Sequence, residues 1–228
     1  MTRRRAGCWC AFLPNEMRIR EERNMITAAG MRDAFRAIAA KMAEQREYLI
    51  ELDQRNGDGD LGISMAEGYA AASAAMDASP ENDLGKLLIA GYKAFNEAAP
   101  SSLGTITSLC LMGMAKVLKG HEEADMALLG EALDAGLQRV MEKAGSKPGE
   151  KTILDAVVPA AEAIRAHAAE GDQAALQAAA EAARAGSEAT AGMMAVHGRA
   201  AYYGEKSLGI VDGGSVVGRL IFETLAEL

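Results

Sequence analysis

Asp53 to Ser64 reads DQRNGDGDLGIS, and both segments flanking it carry helical periodicity. Upstream, Met31, Phe35, Ile38, Met42, Leu49 and Leu52 recur at helical spacing, so Thr27 to about Leu52 is predicted as one long amphipathic helix ending at Asp53. Downstream, the apolar stretch Leu61 to Tyr69 reads as a helix start. Between them, Gly57, Gly59 and Gly62 open backbone conformations closed to most residues, so one short loop can aim Asp53, Asp58 and Asp60 at a common point.

Carboxylate oxygens suit hard cations such as Mg²⁺, which is usually held by one or two carboxylates together with substrate phosphates. The free N–H groups of the helix that follows attract anions. Two plainer readings compete. An acidic, glycine-rich loop also forms as a solvated turn. An EF-hand would use Asn56, Asp58, Asp60 and Glu67 at its first, third, fifth and twelfth positions, but its sixth position needs glycine and here is Leu61, and Asp53 would have no role.

Working outward, helices are predicted from Gly62 to Met76, Leu84 to Ala98 and Ser102 to Leu118, punctuated by Pro80, Pro100 and Gly120. Met126 to Met141 marks the next, and Gly145, Pro148 and Gly149 interrupt before Thr152, which can cap a sixth helix through Ile164. Asp172 opens an alanine-rich seventh helix reaching about Met194, a glycine-spaced loop spans Val196 to Gly214, and Val216 to Leu225 closes the chain. The expected fold is all-α: about eight antiparallel helices in an up-and-down bundle or closed helical barrel, forming one domain over 25–228. Methionine and leucine stripes at helical spacing are core.

Composition agrees. The 228 residues are 50% hydrophobic and only 4% aromatic, with abundant alanine, which favours helix over strand and suffices for a full core. A formal net charge of −8 and a pI near 5.0 argue against nucleic acid or an anionic membrane as partner. Cys8, Cys10 and Cys110 form no obvious disulfide framework, so a reducing cytoplasm fits best. Residues 1–24, with Arg3, Arg4, Arg5, Arg18, Arg20 and Arg23 around a short apolar patch, read as a disordered or mis-started extension, Met17 and Met25 being alternative starts, rather than as a signal peptide.

Three further turns are rich in small and polar residues: APSSLGTITS (99–108), GSKPGEKT (145–152) and HGRAAYYGEKSLGIVDGG (197–214). Helix counting alone does not prove that these meet the aspartate loop. Together LDQRNGDGDLG, SKPGEKTILDAVVPA and GRAAYYGEKSLGIVDGG resemble the nucleotide-binding L subunit, or L domain, of the dihydroxyacetone kinase family. The resemblance covers roughly Thr27 to Leu228.

It implies an eight-helix antiparallel barrel with ADP or ATP and two Mg²⁺ ions at one end, and Asp53, Asp58 and Asp60 as metal ligands. Phosphate contacts are implied for Leu61, Gly62, Ile63 and Ser64, and for Ser101 or Ser102, where SSLGTITS departs from the usual Gly-Ser-Gly; those serines otherwise read as helix caps. Gly149, Thr152 and Ile153 are implied to wall the nucleotide, and Arg199, Asp212, Gly213 and Gly214 to touch it, although the usual Asp-Pro-Gly is here Asp212-Gly213-Gly214. Leu61 replaces a histidine of classical subunits.

The family holds its ketose on a separate K-type subunit or domain, and nothing here resembles that part. The resemblance therefore implies half an enzyme: a Mg-nucleotide subunit donating a phosphoryl group to a short-chain ketose on a K-type partner. The phosphoryl source is either exchangeable ATP or a fixed ADP recharged by a phosphotransferase-system protein, and a homodimer stays open. The alternative is a non-catalytic ADP-binding regulatory module.

Overall fold

The computed structural model describes residues 25–228; the extension expected over 1–24, with Cys8 and Cys10, lies outside them. Nine α-helices occur among the described residues: α1 (Ala28–Glu44), α2 (Arg46–Asp53), α3 (Leu61–Ala78), α4 (Leu84–Ala98), α5 (Ser102–Leu118), α6 (Met126–Ala144), α7 (Leu154–His167), α8 (Asp172–Ala189) and α9 (Gly213–Ala226). Two 3₁₀ stretches, Thr190–Gly192 and Arg199–Ser207, lie between α8 and α9.

The long first helix expected from periodicity is broken at Gln45, whose φ of −89° and ψ of 6° leave the helical region. The hydrogen-bond ladder nearly continues across it, with Gln45 N donating to Lys41 O and Leu49 N to Gln45 O. The redirected α2 lies hard against the first turn of α3: a β-carbon at Gly62 would stand 2.1 Å from the Arg46 carbonyl oxygen. Periodicity did not reveal this because both pieces keep their apolar face inward, burying Met31, Phe35, Ile38, Met42, Leu49 and Leu52. The seventh helix ends at Ala189 rather than near Met194, and α9 already begins at Gly213 within the stretch expected as loop.

Counting α1 and α2 as one bent rod, each rod packs on its sequence neighbours, from α1 against α3 round to α8 against α9, and α9 returns to α1. The ring is closed, as a helical barrel requires. A short antiparallel pair, β1 (Ile26–Thr27) with β2 (Glu123–Ala124), joins the start of α1 to the α5–α6 connection and has no periodic signature in sequence.

Two apolar clusters fill the interior. One runs through α1 to α5 with Val216, Val217 and Leu220 of α9, and the other joins α6, α7 and α8 with Phe222 of α9. A largely apolar cavity of about 420 Å³ remains within the ring, lined by Met31, Phe35, Ile106, Cys110, Leu133 and Ile164 among others. Burial there pushes the partly buried Cys110 thiol up to about 12. No helix among the described residues is long and apolar enough to cross a membrane.

Candidate functional site

In a ring of alternating rods, the connections α2–α3, α4–α5, α6–α7 and α8–α9 all fall at the same end. These are the aspartate loop and the three other glycine- and serine-rich stretches. Alternation thus brings together what sequence spacing left apart.

The aspartate loop is built from its backbone outward. Gly57 N donates to Asp53 O at 2.6 Å, and a β-carbon at Gly57 would overlap the Asp53 carboxylate, so only glycine lets the chain turn so closely over it. Gly59, at φ 79°, donates its N–H to Asp53 Oδ2 at 2.7 Å, which fixes that carboxylate. Asp60 stands at the N-cap of α3, yet its side chain makes no capping bond and turns instead to the cluster. One carboxylate oxygen each from Asp53, Asp58 and Asp60 lies within 4.8 Å of the others.

Burial first, and then the charges of Asp58 and Asp53, push the Asp60 carboxyl above its ordinary value, while Arg199 pulls it down. Three crowded carboxylates with so few N–H donors have the chemistry of a hard-cation site. The donor set fits Mg²⁺.

Arg199 reaches this cluster from the 3₁₀ segment, its guanidinium 2.7 Å from Asp58 Oδ2. Leu61 offers only backbone to the site. Its side chain is buried in the core and so close to Gly213 that a β-carbon there would meet Leu61 Cδ2 at 2.6 Å. The same contact seats the start of α9 on α3. A β-carbon at Gly214 would lie 3.4 Å from Ile153 N, so the third and fourth stretches are likewise adjacent. Ser64 is buried in the first turn of α3, and Ile63 is exposed.

Ser101 caps α5, accepting from Gly104 N at 3.1 Å, and Ser102 is exposed beside it. Their turn is held to α3 where Ala99 packs on Gly68.

The GSKPGEKT turn is organised by a residue that the motif reading did not single out. Asp155, buried in the first turn of α7, accepts N–H bonds from Gly149 and, at 2.7 Å, from Thr152. Thr152 lies one position before the N-cap, Ile153, and its Oγ1 accepts from Leu154 N at 3.2 Å. Glu150 bonds His197 at 2.6 Å, and that bond leads the causes holding the Glu150 carboxyl below its ordinary value. Gly149 has a φ of 90°, a conformation that suits glycine.

At the fourth stretch, Asp212 caps α9 by accepting from Ser215 N at 2.6 Å. A buried hydroxyl chain backs it: Thr190 Oγ1 accepts from Asp212 N and donates to Ser187 O, and Ser187 Oγ bonds Ser215 Oγ. Burial pushes the Asp212 carboxyl up to about 7 against the pull of Ser215 N–H and Lys151. Thr190, Ser187 and Ser215 were not foreseen, since isolated small polar residues in helices carry no pattern.

The DAK2 domain profile matches residues 55–227, nearly the whole ring. The chain belongs to the DAK2 domain family. Among DAK2-domain relatives, the L-erythrulose 1-kinase of Mycolicibacterium smegmatis is 33% identical over 87% of this chain and 36% of its own length. The ADP-binding subunit DhaL of PEP-dependent dihydroxyacetone kinase 1 from Listeria innocua is 30% identical over 82% of this chain and 89% of its own. This DAK2 chain therefore spans about a third of the first relative and nearly all of the second. The dihydroxyacetone kinase of C. freundii, solved with AMP-PNP and Mg²⁺, shares the fold at a TM-score of 0.71 and 24% identity, covering 100% of this chain and 38% of that one.

Proposed function

We propose that this chain is the Mg-nucleotide-binding subunit of a dihydroxyacetone-type kinase, donating a phosphoryl group to a short-chain ketose held by a separate K-type subunit. The observation that carries the reading is the aspartate cluster at the start of α3, where three carboxylate oxygens lie within 4.8 Å and the other three polar connections share its end of the barrel. Dihydroxyacetone and erythrulose kinases among the relatives support the reaction class.

Asp53, Asp58 and Asp60 would hold Mg²⁺, with two ions expected. Bound there, the metal neutralises phosphate charge as it develops during transfer. The backbone N–H groups of Leu61, Gly62, Ile63 and Ser64 open α3 and favour phosphate at its N-terminus. Ser101 and Ser102 present the opening of α5 to the same end. Arg199 supplies a planar fork for a phosphate oxygen once cations share its present partner, Asp58. Gly149, Thr152, Ile153, Asp212, Gly213 and Gly214 wall the nucleotide. Leu61 has a hydrocarbon side chain, buried in the core, so this position offers no side-chain proton donor beside the phosphates, and positioning with charge neutralisation carries the chemistry.

The test is ADP calorimetry with and without Mg²⁺, followed by turnover assays with and without a K-type subunit. The reading expects Mg-dependent ADP binding, no useful phosphorylation of free dihydroxyacetone or tetruloses by the isolated chain, and activity once the partner is added. Retention of ADP through dialysis with turnover only from a phosphotransferase-system donor would assign a fixed ADP. Binding without turnover under either donor would leave a regulatory ADP-binding module and overturn the kinase reading.

A further inference from the structure

Lys151 is buried, with 3% of its surface exposed, and is the one non-glycine residue among those described with a left-handed backbone, at φ 60°. Glycine takes that conformation without steric cost, so a lysine there is held by its surroundings. The surroundings are three carbonyls. Its ammonium donates to Met193 O at 3.1 Å, Ser207 O at 2.6 Å and Ile210 O at 2.6 Å, which uses all three of its protons.

Those carbonyls come from both ends of the segment 193–210, so the ammonium closes that segment into a loop around itself. Two further bonds brace the neck: Gly209 N to Ala191 O, and Ala195 N to Ser207 Oγ. At the tip, Arg199 stands on Asp58. The residue before Lys151, Glu150, grips the same loop through His197. A buried ammonium without bonds is costly, so the loop cannot open without stranding it.

We propose that Lys151 is a positioning residue for nucleotide binding: it holds the 193–210 loop closed so that Arg199 stands at the aspartate cluster, and it thereby couples the GSKPGEKT turn to the metal site. The role rests on the nucleotide reading given above, and it lies in none of the contacts implied by family resemblance. Lys151 acts through Arg199, whose loop it closes.

The experiment is a double-mutant cycle. Mg-ADP affinity is measured by calorimetry for the full chain and for K151M, R199A and the double variant. Each single change is expected to weaken binding about tenfold, the double change no more than either alone, and K151R to regain most of the loss. In parallel, trypsin should cut K151M faster than wild type after Arg199 and Lys206 without nucleotide. Should K151M not fold, K151G, which is at ease at this φ, takes its place, with added n-butylamine expected to restore affinity.

Additive losses, or an unchanged affinity in K151M despite a lower Tm, would overturn the positioning role alone. A wild-type chain that binds no Mg-ADP would overturn the nucleotide reading, and the positioning role with it.

Discussion

Asp60 and Asp83 occupy the same place in the helical grammar, each at the N-cap of a barrel helix, at opposite ends of the ring. Asp83 accepts from Lys86 N and Gly120 N, both at 2.9 Å, and although burial disfavours its charge, those N–H groups hold its carboxyl below the ordinary value. Asp60 accepts no capping bond, and burial with two neighbouring carboxylates pushes it the other way. Thr27 and Asp125 cap at the Asp83 end in the same local manner. At the Asp83 end each of these caps accepts from its own helix; at the other end Ser101 and Asp212 do the same, and Asp60 alone of these caps turns away to Asp53 and Asp58. That difference leaves Asp60 to the charge of its neighbours where Asp83 is held by backbone N–H groups.

The sharpest way to break this comparison is to exchange charges at the two ends. Asp58→Asn should weaken Mg-ADP binding on the order of 10- to 100-fold, since losing a carboxylate from the cluster should cost at least what losing an outer-shell partner of a metal ligand does. Calorimetry showing unchanged affinity in that variant, or after chelation of Mg²⁺, rejects the metal assignment. Asp83→Ala should instead leave affinity unchanged and cost about 1 kcal/mol of stability, roughly 2–4 °C in Tm, by loss of a cap.

A smaller effect sharpens the contrast through pH. Asp212 is raised to about 7 when folded, so the native chain keeps a proton that the unfolded chain releases near 4. Its contribution to stability is complete below about pH 4 and is lost as pH rises through about 7. Asp83 is lowered, so its contribution is present above its unfolded value and lost as pH falls below about 4. Thermal melts of Asp212→Asn from pH 4 to 8 should be flatter than wild type. An identical slope would show that Asp212 does not carry that dependence.

The smallest expected change comes from removing residues 1–24. Residue 25 leaves the barrel at the Asp83 end, because β1 pairs with the α5–α6 connection. Mg-ADP affinity should therefore stay within twofold of the full chain. A larger loss would place the extension near the aspartates.

The helices were legible because apolar residues repeat along them, and Leu84–Ala98 and Ser102–Leu118 fall at their expected bounds. The convergence of four polar loops was also latent in the sequence: with eight rods alternating, the first, third, fifth and seventh connections share an end. The bend at Gln45 left no trace, since it preserves the buried face on both sides. Lys151 and Asp155 were invisible for another reason. Each is a single charged residue in a recognised turn, and only the backbone groups gathered around its side chain show what it does.

Ring closure also places residues 25 and 228 at the same end of the barrel. The first is tied to the α5–α6 connection, and the C-terminal end of α9 is held to the start of α8 by Gln173 Nε2 on Ala226 O. Both lie opposite the aspartates. A helix such as α5, with 17 residues, is about 25 Å long. Any polypeptide tethered at either residue and meant to deliver a substrate to the aspartate loop must first travel that distance back along the barrel wall. At about 3.4 Å per extended residue, this sets a minimum leash of roughly eight residues.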